Sequence, residues 1–67
     1  MNAFSSVIEE IDYNVDAKEL IIEFKNGSVY VYSDVPNSVF IELFSAQSRG
    51  KFFHANVKNN FIFRKEK

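Results

Sequence analysis

Apolar and polar positions alternate along Leu20 to Tyr32, LIIEFKNGSVYVY, and the alternation is interrupted at Asn26-Gly27. That pattern predicts two antiparallel strands joined by a two-residue turn, because Asn-Gly readily takes the positive φ angles of a type I′ hairpin. Pairing outward from the turn sets Lys25 opposite Ser28, Phe24 opposite Val29 and Glu23 opposite Tyr30. Ile22 then opposes Val31, and Ile21 opposes Tyr32. Opposed residues share a face, so Leu20, Ile22, Phe24, Val29 and Val31 are expected to form one apolar wall. Ile21, Glu23, Lys25, Tyr30 and Tyr32 are expected on the more polar face.

Upstream, Val7 to Tyr13 reads as a first strand in which Val7, Ile11 and Tyr13 share parity and Ile8 breaks it. A bulge near Glu9-Glu10 would return Ile8 and Ile11 to one side. Asn14 to Lys18 is polar and reads as the connecting loop. After Asp34 the period changes. Val35, Val39, Leu43 and Ala46 follow helical spacing with Phe40 and Phe44 beside them, while Ile41 falls on the far side. An amphipathic helix is expected from about Pro36 to Ala46, with Pro36 in its first turn, Asp34 assisting the cap and Gly50 marking its end. Lys51 to Lys58 predicts a second short helix with Phe53 and Val57 on one side, broken by Asn59-Asn60. Phe61 to Arg64 predicts a last strand. The order is therefore β-β-β-α-α-β, an α+β domain with the helices packed on one face of a small antiparallel sheet. One domain spans 1–67, with Met1 to Ser5 and Lys65 to Lys67 expected to fray. Phe24, Val31, Leu43 and Phe53 are expected in one core.

Composition narrows the picture. The chain has 67 residues, 46% of them hydrophobic, with eight Phe and three Tyr. That is near the lower size limit for unaided folding, and the rings can supply much of the core. With no cysteine, a disulfide framework and a thiolate metal site are excluded. No run approaches the roughly 20 apolar residues of a membrane-spanning helix, and Met1 to Ser6 lacks the regions of a signal peptide. The expected residence is cytoplasmic. Net charge is −1, but residues 1–34 carry −5 and residues 35–67 carry +4. Such a split reads either as two halves that attract each other or as a basic contact surface.

Ordered landmarks then resemble a known family. Tyr30-Val31-Tyr32, Val35-Pro36, Val39-Phe40, Leu43, Ala46, Ser48-Arg49-Gly50, Phe53 and Phe61 follow the pattern of the KTSC domain. That family is named for its occurrence at the C-terminus of some lysyl-tRNA synthetases. Ile8, Ile11 and Tyr13 fit its opening strand. The chain departs from the family at Asp12-Tyr13-Asn14, where a Gly-Tyr-Asp is usual, and at Phe40, Phe61 and His54, which replace two Tyr and an Asn. What the resemblance implies is an independent small domain, found also alone in bacterial and phage proteins, with RNA binding suggested by the synthetase fusion.

Candidate chemistry is sparse. Glu9 and Glu10 are strand neighbours and point apart, His54 is the single histidine, and no serine has a visible base partner. No enzyme, metal or cofactor is expected, and the isolated Gly27 and Gly50 form no phosphate loop. Tyr30 and Tyr32 read either as strand-forming cover for the sheet or as a stacking platform for unpaired bases, which requires accessible rings. Arg49, Lys51, Lys58, Arg64 and Lys65 read as a solvated basic rim or as phosphate contacts. Tyr30, Tyr32, Arg49, Lys51, Lys58 and Arg64 are thus the candidate RNA-binding residues. The alternative is a protein-interaction or adaptor module working through an edge strand, Val7 to Tyr13 or Phe61 to Arg64, or through a homodimer.

Overall fold

The hairpin is present but carries one more loop residue than its sequence suggests. In a computed structural model that describes residues 8–67, β2 (Glu19–Phe24) pairs with β3 (Val29–Tyr32) so that Leu20 opposes Tyr32, Ile21 opposes Val31 and Ile22 opposes Tyr30. The Phe24 N–H donates to Ser28 O (2.8 Å) and the Gly27 N–H to Phe24 O (2.9 Å). Lys25, Asn26 and Gly27 therefore form a three-residue loop. Gly27 has φ 93°, as expected of the glycine, but it serves a turn followed by a bulge rather than a type I′ turn. Asn26 Oδ1 secures the bulge by accepting the Ser28 N–H at 2.9 Å.

That residue shifts the register by one and exchanges the faces of β3 relative to β2. Tyr30 and Tyr32 join Leu20, Ile22 and Phe24 on the core face, while Val29 and Val31 join Ile21 and Glu23 on the opposite face. The expected apolar wall and tyrosine face are corrected accordingly. Val31 is buried, at 4% exposure, yet stands outside the cluster of Leu20, Ile22, Tyr32, Val35, Leu43, Phe53 and Val57. The expected single core is corrected at Val31 alone, since Phe24 packs against that cluster.

The first strand is as read. β1 (Ile8–Asn14) pairs with β2, and its register shifts between Ile8 and Glu10, so Ile8, Ile11 and Tyr13 all lie opposite core-facing residues of β2. Val7 and the Met1 to Ser5 segment lie outside the described residues. A tight turn follows, where Asn14 Oδ1 accepts the Ala17 N–H at 3.1 Å and Lys18 takes φ 56°.

After β3 the chain is tied down before it turns helical. The Val35 N–H donates to Lys18 O, and the Tyr13 hydroxyl donates to Val35 O at 2.5 Å. Helix α1 (Asn37–Ser45) then starts with Pro36 as its extended N-cap, one position earlier than expected of that proline. No side chain caps it, so Asp34 does not assist; it holds φ 57° in the preceding bend. Ala46 leaves the helix with φ −66° and ψ 146°. Gly50 does not end α1. It lies inside α2 (Arg49–Asn56), whose N-cap Ser48 accepts the Lys51 N–H. Asn60 Nδ2 donates to Asn56 O beyond α2, at the predicted break.

The last strand, β4 (Phe63–Lys65), pairs antiparallel with β3, giving the order β1-β2-β3-β4. Its pairing reaches the chain's end, because the Glu66 N–H donates to Val29 O and the Val29 N–H to Lys67 O. Lys65 to Lys67 are exposed but held by the sheet, so the fraying expected there is corrected. Helices α1 and α2 cover one face of the sheet, with Leu43, Phe53 and Val57 buried against Leu20, Ile22 and Tyr32. The α+β reading and its element order stand.

Leu43 is fully buried at the centre of this cluster. We expect Leu43→Ala to lower unfolding stability by about 2–5 kcal/mol, read from urea or thermal denaturation. A change below about 0.5 kcal/mol would contradict the packing described.

Candidate functional site

The register places the aromatic side chains of the sheet together, and the helices cover them only in part. A cleft of about 610 Å³ opens between α2 and the core face of the sheet, reaching from Ile8 of β1 and Phe24 of β2 to Phe63 of β4. Phe24, Tyr30, Tyr32, Phe53 and Phe63 line it with their rings, and Asn26, Ser28, His54, Lys58 and Asn59 contribute polar groups. The rings are interlocked. Phe63 lies 5.5 Å from Tyr30 and 5.4 Å from Tyr32, tilted 43° and 36°. Phe24 meets Tyr30 edge-on at 87°, and Phe53 meets Tyr32 edge-on at 81°. Such geometries place ring edges against ring faces, which stabilises each pair beyond simple burial. Phe63 alone among the five is half exposed, at 50%, and forms the open rim of the cleft.

This arrangement separates the two tyrosines expected to share a platform. Tyr32 is 3% exposed, beneath Phe53 and beside Phe63. Burial, followed by the nearby Tyr30, holds its phenol above the ordinary pKa of 10.0. Tyr30 is partly buried and lines the cleft. Neither ring lies on an open sheet face, because the extra loop residue turned both inward.

The basic candidates are scattered. Lys58 lines the cleft from the turn that follows α2, whereas Lys51 stands exposed in the first turn of that helix, outside the lining. Arg49 is employed elsewhere: its guanidinium sits 4.5 Å from the Phe44 ring centroid and its Nε donates to Phe44 O at 3.1 Å. A cation at that point satisfies a carbonyl at the C-terminus of α1 and complements the helix dipole. Arg64 projects from the opposite face of the sheet, where Nη1 meets Glu19 Oε2 at 3.1 Å and Nε meets Glu66. It opposes Val31 and reaches across β3 to β2, so its stem helps bury that valine. Tyr30, Tyr32 and Lys58 thus line the cleft together, and Lys51, Arg49 and Arg64 stand apart from its lining.

Two cleft features escaped the sequence reading, Phe63 as its exposed rim and Asn59 in its wall, and the side of the sheet from which Lys65 rises was not read either. Lys65 opposes Tyr30, and opposed residues share a face, so its ammonium rises from the core side of β4. The signal was available in the period-two alternation of Phe61, Phe63 and Lys65 once β4 was paired to β3. Among the described residues no group of three or more His, Asp or Glu is placed to hold a metal ion. No helix among them is long and apolar enough to cross a membrane.

The edges of the sheet differ. β1 carries a bulge and exposed Glu9, Glu10 and Asp12, features that discourage further pairing. β4 is short, and its pairing ends in a bulge where Glu66 and Lys67 both bond Val29. Its Ile62 and Glu66 neighbours turn their backbone toward β3 through Ser33 N–H to Ile62 O and Glu66 N–H to Val29 O. By alternation, Phe63 and Lys65 turn their N–H and C=O groups outward. Ile62, on the opposite face, is 79% exposed.

Comparison with known proteins agrees with this fold. Residues 4–61 match the KTSC domain. The chain is 43% identical over 58 residues to a lysine–tRNA ligase of Nostoc punctiforme, a match covering 87% of this chain and 10% of the ligase. A ligase of the same kind from Trichormus variabilis is 41% identical over 58 residues, with the same coverage. The chain therefore spans about a tenth of the length of those curated relatives. The crystal structure of a KTSC domain protein from Yersinia pestis superposes with TM-score 0.87 at 35% identity, covering 100% of this chain and 94% of that one.

The Tyr32 environment has a pH consequence. A phenol whose folded pKa exceeds its unfolded value keeps its proton longer in the folded protein. Its contribution is constant below about pH 10 and is lost as pH rises from there through the folded pKa. We expect unfolding stability to fall over that window in the wild type and to fall less steeply in Tyr32→Phe. Equal slopes in denaturant titrations between pH 9 and pH 11 would contradict the burial of this phenol.

Proposed function

This chain belongs to the KTSC domain family, and we propose that it is a non-enzymatic module that binds an extended polypeptide segment by adding it to the β4 edge. The observation that carries this reading is the pairing of an open strand edge with an aromatic cleft on the same side of the sheet. Outward N–H and C=O groups of Phe63 and Lys65 offer the hydrogen bonds. Phe63 and Ile62 offer exposed apolar surface on the two faces beside them. Strand addition draws affinity from such main-chain bonds and selectivity from pockets that take alternate side chains. The opposite edge is bulged and acidic, so a partner strand has one favourable place to add.

A second reading is RNA binding in the same cleft. It is favoured by Tyr30 and Lys58 at the cleft and by the relatives that are lysine–tRNA ligases. It is weakened by the burial of Tyr32 and by the commitment of Arg49 and Arg64 to contacts within the fold. RNA recognition needs open ring faces beside unengaged cations, and Tyr32 offers no open face.

The two readings separate at the backbone. Lys65→Pro removes an outward N–H and leaves the hydrogen bonds that join β3 to β4, whereas Lys65→Ala removes only the charge. With a capped peptide of alternating Thr and Val as probe, we expect Lys65→Pro to weaken binding about ten-fold or more, and Lys65→Ala much less. Amides of Phe63 and Lys65 should gain hydrogen-exchange protection on binding. Undiminished peptide binding by a folded Lys65→Pro variant would defeat the proposal. Mixed-sequence RNA binding at low salt, weakened by Lys58→Ala and by added salt, would put the second reading in its place.

A further inference from the structure

We infer, resting on the strand-addition reading, that the segment taken at β4 runs antiparallel and carries an acidic residue, an apolar residue and an aromatic residue in that order. The inference follows from what each position of an added strand would meet. Residues paired directly with Phe63 and Lys65 send their side chains to the cleft side of the sheet, because opposed residues share a face. The partner of Phe63 meets a half-exposed ring at the mouth of a cleft floored by Tyr30 and Tyr32. An aromatic side chain fits there by the same tilted and edge-on contacts that the resident rings make.

The partner of Lys65 meets an exposed ammonium. No carboxylate is among the residues that line the cleft, and Lys58 stands in its wall. Opposite charge at a cross-strand position is favourable and like charge is not, so this position calls for Asp or Glu. The intervening residue projects to the other face, opposite Arg64. Arg64 is already met by Glu19 and Glu66, and Ile62 beside it is 79% exposed. An apolar side chain suits that place. Every strand pair of this sheet is antiparallel, the slightly more stable pairing. In an antiparallel ladder the partner of Lys65 precedes the partner of Phe63, which sets the order acidic, apolar, aromatic.

The same reasoning excludes a second copy of this chain. β4 against β4 about Arg64 sets Arg64 against Arg64 and Lys65 against Phe63, with no acid on the cleft side. One triplet in the sequence has the required order, Glu42-Leu43-Phe44, and it lies in α1 with Leu43 buried. The segment therefore lies outside these 67 residues.

Three capped heptapeptides test this, each with Thr-Thr at both ends and a centre of Glu-Val-Phe, Phe-Val-Glu or Lys-Val-Phe. Binding is read by calorimetry and by amide shifts and exchange of the labelled domain. We expect Glu-Val-Phe to bind about ten-fold tighter than either alternative. Lys65→Glu should reverse the order of the Glu-Val-Phe and Lys-Val-Phe peptides, and Phe63→Leu should erase the advantage of the aromatic. Equal binding of Glu-Val-Phe and Phe-Val-Glu, an order unchanged by Lys65→Glu, or no binding of any peptide up to about 1 mM overturns the inference. If the amides of Phe63 and Lys65 are protected in the case of equal binding, strand addition survives and only the partner's pattern falls. If they are not protected, both fall.

Discussion

The three-residue loop Lys25-Asn26-Gly27, with Gly27 at φ 93°, decides on which side of the sheet each residue of β3 stands. A Cβ built at Gly27 would meet nothing within 4 Å, so the requirement for glycine comes from the backbone angle and not from crowding. With Lys25, Asn26 and Gly27 all in the loop, Tyr30 and Tyr32 oppose Ile22 and Leu20. A loop shorter by one residue would send the tyrosines outward and bring Val29 and Val31 in. Because side chains alternate with a period of two, no intermediate arrangement exists. The burial of Tyr32, the position of Phe63 and the existence of the cleft all follow from that one residue.

Large rings then do what a small chain needs. Two short helices cannot cover a four-stranded sheet with aliphatic side chains alone, and the aromatic network extends the core from Phe53 through Tyr32 to Phe63. Tyr13 works at the other end, where its ring stacks on Phe40 at 5.0 Å and its hydroxyl holds the Val35 carbonyl. That contact ties β1 to the loop that launches α1. On the uncovered face the solution is different. Arg64 crosses Val31 to reach Glu19, so a long cationic stem does the shielding that a helix does on the core side.

Much of this was legible in the chain. The bulge at Ile8–Glu10 followed from three apolar residues of unequal parity, and both helices followed from spacing. The hairpin's existence followed from Asn26-Gly27, but its register did not. Asn-Gly fits a type I′ turn and equally fits a turn whose glycine occupies the bulge position, and both put Gly27 at positive φ. Apolar patterning gave no arbitration, because Ile21 and Ile22 offer an apolar residue to either face and Tyr is amphipathic. The same ambiguity hid the cleft, since Phe63 and Lys65 acquire meaning only once Tyr32 and Tyr30 are known to be inward. Gly50 misled for another reason. Ser48 can cap a following helix as readily as a glycine can end a preceding one, and here the cap prevailed. Arg49 and Arg64 resembled a basic surface because sequence does not show that a carbonyl or a pair of carboxylates already engages them.

The two edges of the sheet show how charge and pairing are connected. The acidic excess of the first half is concentrated on β1 and on the face it shares with β2, where Glu10 stands directly opposite Glu23. Like charges so placed are unfavourable to each other and to an approaching acidic strand. The basic excess of the second half ends on α2 and β4, the elements that flank the cleft. A chain with nearly balanced charge therefore presents one edge that is acidic and bulged within its pairing, and another that is short, basic and bulged only past Lys65. Both edges thus carry features that discourage uncontrolled pairing. What sets β4 apart is that Phe63 stands at the rim of the cleft and Ile62 is exposed beside it, which is why a binding role is proposed for β4 and not for the sheet as a whole.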